Sequence, residues 1–333
     1  MNLMHVAEKL DDNVGRTLYV VDSDYRTVAQ GWSNGITGPL DLINQRNPGT
    51  VYYTPGGITT QYATDAAAIQ GAVDGCTDFR GDKILLTPGA YSVATAVSID
   101  VPGVRLCGSR PSFSGPVHPK RSVTTVTGAV ASAFTLTAAA DDIELANMKI
   151  IPLTAAKFLD VTAGADRAHL HHLFYDATGV AASTSTEFCN AAAANDWLVE
   201  QCSFYVDAAQ GDAFTLASPL RWVFQDNDFL VGLTTVAWAS VFTFATSALG
   251  MVMRRNLFRG CGGATPAVFT NIVTGVANVN GQLMFYGNYI DGTALATASG
   301  VETTFGTATD IELADNFQSG DLSGEGGVVV ALA

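Results

Sequence analysis

The sequence predicts an all-β chain that is wound as a single-stranded parallel β-helix of about eight coils. Three observations predict this fold. An eight-residue segment recurs eight times, about every 30 residues; a second short strand pattern precedes most copies; and only one stretch has a helical pattern. A repeat of this length that contains only strands is typical of a solenoid in which each repeat forms one coil.

The recurring segment is clearest in Trp197–Phe204, Trp222–Phe229 and Met251–Phe258. Its apolar positions 1, 3 and 8 are predicted to face the interior, in coils stacked about 4.8 Å apart. Asparagine at position 6 is expected in a turn, because Asn tolerates the left-handed conformation and its amide can form a ladder with the next coil. The position-6 residues lie 25 to 39 residues apart: Ser109, Met148, Leu173, Cys202, Asn227, Asn256, Asn288 and Asn316.

The second strand pattern contains Phe-Thr, as in Ala133–Leu136, Ala213–Leu216 and Val241–Phe244. If the Phe faces inward, the next residue faces outward. The outward row then contains no carboxylate, so this face is predicted to be a structural threonine ladder rather than a catalytic groove. The row comprises Thr135, Leu159, Cys189, Thr215, Thr243, Thr270 and Thr303.

Residues 64–75 are the one good helix in the sequence. Thr64 or Asp65 can cap its start, Ile69 and Val73 share one face, and Gly75 ends it. A helix here would cover the first coil, which otherwise exposes an unpaired edge.

Together with Gly81–Val93, this helix resembles the start of pectin-lyase-like right-handed β-helices, above all tailspikes and other virion proteins of tailed bacteriophages. The resemblance covers about residues 60–320 and implies a right-handed coil and a virion role. It does not decide between enzyme and structural protein, because this fold hosts lyases, hydrolases and non-enzymatic virion parts. The matching residues are Asp65, Ala68, Ile69, Gln70, Ala72, Val73, Asp74, Gly81, Leu86, Pro88, Gly89 and Tyr91.

Three regions are predicted: an arm or attachment module at 1–60, the β-helix at 61–320 and a tail at 321–333. Two interpretations of the arm stay open. It attaches the protein to phage capsid or tail proteins, or it is a strand-rich cap with strands near Thr17–Val21 and Thr50–Tyr53. The apolar end of the tail is expected to pair with another strand, within the subunit or across an interface.

Composition excludes several classes of protein. Lys and Arg number 17 against 31 Asp and Glu, a net charge of −14, with no basic cluster, so contact with nucleic acid is not expected. No apolar run approaches the ~18 residues of a transmembrane helix, and the first residues lack a secretory signal. The five cysteines contain no C-x-x-C pair and are expected to be buried free thiols. The expected location is the virion, assembled in the host cytoplasm.

Outward positions 4 and 5 of the segment carry the candidate acid and base residues. Stacking is expected to place His171 beside Glu200, and Asp226 beside Arg255. One interpretation is a general acid/base pair that cuts a glycan. The preferred interpretation is cross-coil ion pairs, which contribute about 0–1 kcal/mol each. The histidines at 169, 171 and 172 lack an evident further ligand, so no metal or cofactor is expected.

Outward position 2 is apolar in four successive coils: Leu198, Val223, Val252 and Met284. A stripe about 15 Å long is costly to leave in water. It predicts a subunit interface, and the resemblance to phage spikes implies a homotrimer around the long axis. The alternative is that the arm or a loop covers the stripe within one subunit.

The predicted function is therefore a structural virion protein of a tailed phage: a trimeric capsid decoration, cement or head-fibre protein on the outside of the particle. The chain is short for a tailspike and has no obvious separate trimerisation domain at its C-terminus. The alternative is a tailspike that binds or depolymerises a host surface glycan, acting as a polysaccharide lyase or glycoside hydrolase. A free bacterial β-helix lyase is the third hypothesis.

Overall fold

The computed structural model describes residues 17–20, 51–53, 64–109, 124–128, 131–153, 156–183, 185–208, 210–231, 238–245, 247–260, 269–291, 301–319 and 330–332. In this part the chain is a right-handed parallel β-helix, as predicted, with one helix and 27 strands. Each complete coil contributes strands to three faces, and the strands pair in parallel with those of the neighbouring coils.

Face one is formed by the Phe-Thr strands. It comprises β5 (Val97–Ile99), β8 (Ser132–Leu136), β11 (Lys157–Val161), β14 (Glu187–Ala191), β17 (Phe214–Leu216), β20 (Trp238–Phe244), the first halves of β23 (Phe269–Tyr286) and β25 (Val301–Ala314), and β27 (Val330–Leu332).

Face two is formed by the first half of each recurring segment. It comprises β2 (Val51–Tyr53), β1 (Thr17–Val20), β3 (Lys83–Leu86), β6 (Arg105–Gly108), β9 (Glu144–Ala146), β12 (His169–His171), β15 (Leu198–Glu200), β18 (Val223–Gln225), β21 (Ser247–Arg254) and the second halves of β23 and β25.

Face three carries the second half of each segment. It comprises β4 (Gly89–Val93), β7 (Thr124–Gly128), β10 (Lys149–Ile151), β13 (Phe174–Ala177), β16 (Ser203–Val206), β19 (Asp228–Val231), β22 (Leu257–Gly260), β24 (Tyr289–Asp291) and β26 (Phe317–Ser319). The number of coils thus differs from the predicted eight, since this face stacks nine strands. The additional coil is the first one, with β3 and β4, which lacks the recurring segment on which the prediction of eight is based.

The interior is filled by stacked apolar side chains. Positions 1, 3 and 8 of the segment are buried in every copy whose side chains are described, as predicted. The Trp197 and Trp222 rings stack at 4.3 Å, and each indole N–H donates to a backbone carbonyl at 2.7 Å. Phe204 stacks on Phe229, and Phe229 on Phe258, at 4.8 and 5.0 Å. Each buried ring stabilises the coil stack by about 1.5–3 kcal/mol.

The corner between faces two and three has a left-handed residue at position 5, with φ between 53° and 62° in seven coils. The prediction that the position-6 Asn adopts this conformation was wrong. The turn occurs one residue earlier and directs the Asn side chain into the interior. The predicted amide ladder is confirmed: the Asn227, Asn256 and Asn288 amides each donate to the next Asn along the stack, at 3.0, 3.1 and 3.1 Å.

Helix α1 (Asp65–Asp74) forms where the sequence predicts it. The Thr64 hydroxyl caps its start by accepting the Ala67 N–H at 3.2 Å, and Gly75 ends it. Ile69 and Val73 are fully buried, because α1 packs against β1, β2, β4 and β5 at the N-terminal end of the coil stack.

Both ends of the chain add strands to the coil stack. In the predicted arm, β1 pairs with β2 and β3, which extends face two beyond the first coil. Most of residues 1–60 lie outside the described residues, so the division at residue 60 and the attachment role stay predictions. Strand β27 of the tail pairs with β25 on face one.

The described cysteines form no disulfide. Cys107, Cys189 and Cys202 are buried thiols, as predicted, Cys76 is half-buried, and Cys261 lies outside the described residues. No helix in the described part of the chain is long and apolar enough to cross a membrane.

Candidate functional site

Face one carries carboxylates, although the sequence predicts none in its outward row. Strand pairing aligns Leu159 with Phe134, and Asp160 with Thr135. Leu159 and Cys189 are fully buried, so their predicted outward positions were wrong. The outward row is instead Thr135, Asp160, Asn190, Thr215 and Thr243. In the backbone register Thr243 pairs with Thr274 and Thr274 with Glu302, so Thr270 and Thr303 are not the partners of this row.

The physical reason is a shift of one residue. Strands β8, β11 and β14 each have two consecutive inward residues, such as Ala133 with Phe134 and Phe158 with Leu159. The aromatic ring occupies the second inward position in β8 but the first in β11 and β14. Aligning the chain on its Phe residues therefore shifts the inferred row by one and moves side chains to the wrong side of the sheet.

A second outward row on this face contains an acidic pair. Lys157 is in register with Glu187, and the register of β14 with β17 places Asp212 beside Glu187 on the next coil. Glu187 accepts the Asn190 amide N–H at 3.2 Å, and Asp212 accepts the Ser240 backbone N–H at 3.0 Å. The charge of Asp212 acts on Glu187, so the two carboxyl groups are neighbours across adjacent coils.

Burial raises the pKa of both carboxyl groups. For Glu187, the negative charge of Asp212 adds to the effect of burial, while the Asn190 hydrogen bond and the Lys157 charge oppose it. For Asp212, hydrogen bonds from Thr243 and the Ser240 N–H oppose the effect of burial. Two neighbouring acids with raised pKa values can divide the roles of proton donor and base. The sequence pattern does not reveal this pair, because Glu187 directly precedes Phe188 whereas Asp212 lies two residues before Phe214.

Of the acid/base candidates predicted from the sequence, His171 and Glu200 lie on face two, and Asp226 and Arg255 lie at its corner with face three. His171 is in register with Glu200 as expected, but the side chains pair diagonally. His171 Nε2 lies 3.2 Å from a Glu144 carboxylate oxygen, and His169 Nε2 lies 2.9 Å from one of Glu200. Asp226 and Arg255 form the expected pair, with two hydrogen bonds of 2.7 and 2.8 Å. Their catalytic role stays a prediction.

Hydrogen bonds hold the Glu144, Glu200 and Asp226 carboxylates in the ionised form. Hydrogen bonds from His171 and Arg105 keep the pKa of Glu144 well below its ordinary value. Burial raises the pKa of Glu200, but hydrogen bonds from Gln225 and His169 outweigh it and lower the value. The Arg255 guanidinium lowers the pKa of Asp226. These groups are therefore poorer proton donors than Glu187 and Asp212.

The apolar stripe (Leu198, Val223, Val252 and Met284) is continuous. Strand pairing places each of its residues directly beside the next. Met284 is 48% exposed and the other three are half-buried. The described parts of residues 1–60 lie within the sheet at one end of face two rather than over the stripe. The role of the stripe as a subunit interface stays a prediction.

A polar hydrogen-bond network runs beside the stripe on the same face. Gln225 donates to Glu200 at 2.6 Å, and Arg254 donates to Gln225 at 2.8 Å and to the Tyr286 hydroxyl at 3.1 Å. Face two thus combines an apolar row with a row of hydrogen-bonded polar groups.

Among the described residues, no group of His, Cys, Asp and Glu side chains is arranged to hold a metal ion.

Comparisons with known proteins identify the fold but no family. No family model matches the chain, and no curated protein matches its sequence. A pectin methylesterase from Aspergillus niger is similar in structure, with a TM-score of 0.52 and 12% identity over 82% of this chain and 87% of that one. The pectin methylesterase PemA from Erwinia chrysanthemi has a TM-score of 0.50 and 15% identity over 83% and 79%.

The Dettilon tailspike protein also matches, with a TM-score of 0.33 and 12% identity over 77% of this chain and 66% of that one. At such identities the esterase likenesses show a shared fold alone. The chain shares the parallel β-helix fold of these esterases.

Proposed function

We propose that this chain is a structural virion protein of a tailed phage, a trimeric β-helical rod on the outside of the particle, as a capsid decoration, cement or head-fibre protein. The apolar stripe on face two carries the proposal. The resemblance of residues 64–93 to phage virion proteins supports it, as does the net charge of −14, which disfavours contact with packaged nucleic acid.

The stripe is suited to a contact between parallel copies. Its residues stand at successive coil levels, so equivalent rows of three rods can meet along their length. Burying the exposed parts of these side chains would contribute about 1 kcal/mol each per subunit. The adjacent polar network is already hydrogen-bonded within the chain, so little is lost if it becomes the rim of the contact.

Light scattering tests the assembly. The wild-type chain is expected at three times its mass of 34.8 kDa. Changing Val223→Lys together with Val252→Lys should leave monomers, because it buries two unpaired charges per subunit. The matched control is Thr215→Lys with Thr243→Lys, which changes the same coils on face one and should leave the trimer intact. A monomeric wild type, or an unchanged mass in the Val223/Val252 variant, would refute the proposal.

The acidic pair on face one favours a second candidate function, binding and cleavage of a host surface glycan. A carboxyl group with a raised pKa can protonate the glycosidic oxygen, while its neighbour acts as nucleophile or base.

Incubation with host polysaccharides tests this candidate, with assays for new reducing ends and for unsaturated products. Glu187→Gln and Asp212→Asn should each abolish cleavage. Glu200→Gln on face two and Asp226→Asn at its corner are the matched controls and should retain it. Loss of activity only in these control variants would assign catalysis to the acids predicted from the sequence, and no cleavage by the wild type would dismiss the candidate.

A further inference from the structure

The histidine patch on face two (His169, His171, His172, Glu144 and Glu200) has a geometry that the proposed function does not use. His171 Nδ1 lies 2.7 Å from His172 Nδ1. A contact this short between two imidazole nitrogens is a hydrogen bond, and it requires that only one of them carries a proton.

The neighbouring carboxylate assigns the protons. His171 Nε2 lies 3.2 Å from Glu144, whose ionised carboxylate can only accept, so this nitrogen carries a proton. In the neutral ring His171 Nδ1 is then the acceptor, and His172 Nδ1 donates the shared proton. The pair can take one further proton at His172 Nε2, which leaves the shared hydrogen bond in place. With both rings doubly protonated, two N–H groups oppose each other and the contact must open.

Charged groups surround the pair from each neighbouring strand. Glu144 comes from β9 and Glu200 from β15, while Arg105 on β6 donates to Glu144 at 2.5 Å. The Cys107 thiol on β6 also contacts Glu144, and burial raises its pKa to about 12. The Cys107 thiol therefore stays neutral, and protonation of the three imidazoles changes the patch from net negative to net positive. Only 12% of the His171 side chain is exposed, which limits screening by water.

The patch continues the apolar stripe. His169 occupies the same outward row, directly in register with Leu198. In a parallel trimer held by the stripe, the three copies of the patch would stand at one level of the rod near the contact. Each protonation then adds one positive charge to each of the three subunits near their contact, and like charges repel across an interface.

We propose that the histidine patch is an acid-operated release for the contact between copies of this chain on face two. The inference rests on the assembly proposed above and names its regulation. Imidazoles titrate between about pH 5 and 8, so the contact should hold at neutral pH and loosen on mild acidification. No covalent step is involved: protons from solvent open the His171–His172 contact and charge the surface.

Sedimentation velocity at pH 7.5 and 5.5 tests the release. The wild-type dissociation constant is expected to rise at least about tenfold at the lower pH. The variant His169→Gln, His171→Gln and His172→Asn cannot titrate and should change less than about twofold. Asn suits position 172, because Asn147 has the same left-handed conformation one coil away. Arg255→Gln, at the same position of another coil, is the control and should keep the wild-type response.

A second readout separates this inference from the proposed assembly. The shared proton should give a downfield imidazole N–H resonance at pH 7.5 that is absent in His172→Asn and disappears by pH 5.5. A wild type that is trimeric and equally stable at both pH values overturns the release alone. A wild type that is monomeric at pH 7.5 overturns the assembly. In that case loss of the resonance on acidification still supports the proton switch, and its persistence overturns it.

Discussion

Replacing Asn256 by Ala tests the structural role of the asparagine ladder. Asn256 is buried, with 1% exposure, and its amide makes four hydrogen bonds. It donates to the Phe224 carbonyl at 3.0 Å and to Asn288 at 3.1 Å, and its oxygen accepts the backbone and side-chain N–H groups of Asn227 at 3.1 and 3.0 Å.

The free-energy cost of Asn256→Ala depends on which hydrogen-bond partners of Asn256 keep another hydrogen bond. The Asn227 side chain still donates to the Val199 carbonyl, and the Asn288 oxygen still accepts the residue-256 backbone N–H. The Asn227 backbone N–H loses the hydrogen bond to Asn256. A buried unsatisfied group costs about 1–3 kcal/mol and each other lost bond about 0.5–1.5. We expect Asn256→Ala to lower the free energy of unfolding by about 3–5 kcal/mol.

Asn316→Ala is the matched control at the end of the described ladder. Asn316 accepts the same two kinds of N–H from Asn288, at 3.0 and 3.1 Å, but is half-buried, so water can replace part of the loss. The expected cost is about 1 kcal/mol. Urea unfolding at fixed protein concentration, followed by the fluorescence of the buried tryptophans, measures both variants. Equal losses at the two positions, or a loss below about 1 kcal/mol at Asn256, would refute the reasoning.

Three further predictions concern the face-one acids, a face-two acid and the corrected register. Because the folded-state pKa of Glu187 is raised, its ionisation opposes folding above the unfolded pKa of about 4.3. Glu187→Gln should therefore unfold at a higher temperature than wild type at pH 7, and the difference should vanish below about pH 4; a lower temperature at pH 7 would contradict the burial argument. The pKa of Glu144 is lowered, so its stabilisation is present above about pH 4.3 and lost as the pH falls further. Glu144→Gln should then be less stable than wild type at pH 7 and lose less stability on acidification, which a pH series of urea midpoints will show; parallel pH profiles would count against it. In the observed register Leu159→Asp should lower the free energy of unfolding by more than about 3 kcal/mol, whereas Asp160→Ser should change it by less than about 0.5. The reverse order in urea titrations would restore the register predicted from the sequence.

The recurring segment allows the inward and outward positions of faces two and three to be predicted from the sequence. In the clear copies it spans a strand, a tight corner and a second strand without insertions, so each position has one environment in every coil. Trp197, Val199 and Phe204 are buried for that reason, and Val223 and Val252 are adjacent for the same reason. In a stacked repeat, residues at the same position of successive copies are neighbours in space.

Face one was less predictable because its strands vary in length and in the placement of the large residue. Pairs such as Ala133 with Phe134 and Phe188 with Cys189 fill the same space with the ring at different positions. Alternation of one residue in and one out does not hold where two neighbours face inward. The acidic pair Glu187 and Asp212 was therefore invisible until the strands were aligned by their hydrogen bonds.

The spacing of residues along the sequence also does not predict which side chains contact each other. The register of His171 with Glu200 was predicted, but the rotamers join His171 to Glu144 and His169 to Glu200. Long side chains reach a diagonal neighbour about as easily as a direct one. Side chains also pair between coils at the corners. Arg221 donates to Asp196 one coil away, and both residues have the left-handed backbone conformation. Columns of alternating sign let this chain stack charges without repulsion.

Cross-linking between copies tests the central claim, that the apolar stripe lies between subunits. A single cysteine is introduced as Val252→Cys on face two, or as Thr243→Cys in the same coil on face one, and each variant is treated with a short bis-maleimide. The unmodified chain reports any background from its native thiols. We predict covalent dimers for Val252→Cys, since one introduced thiol per chain can be joined to one partner, and only monomers for Thr243→Cys. Monomers from Val252→Cys, or equal cross-linking from both positions, would contradict the assembly on face two.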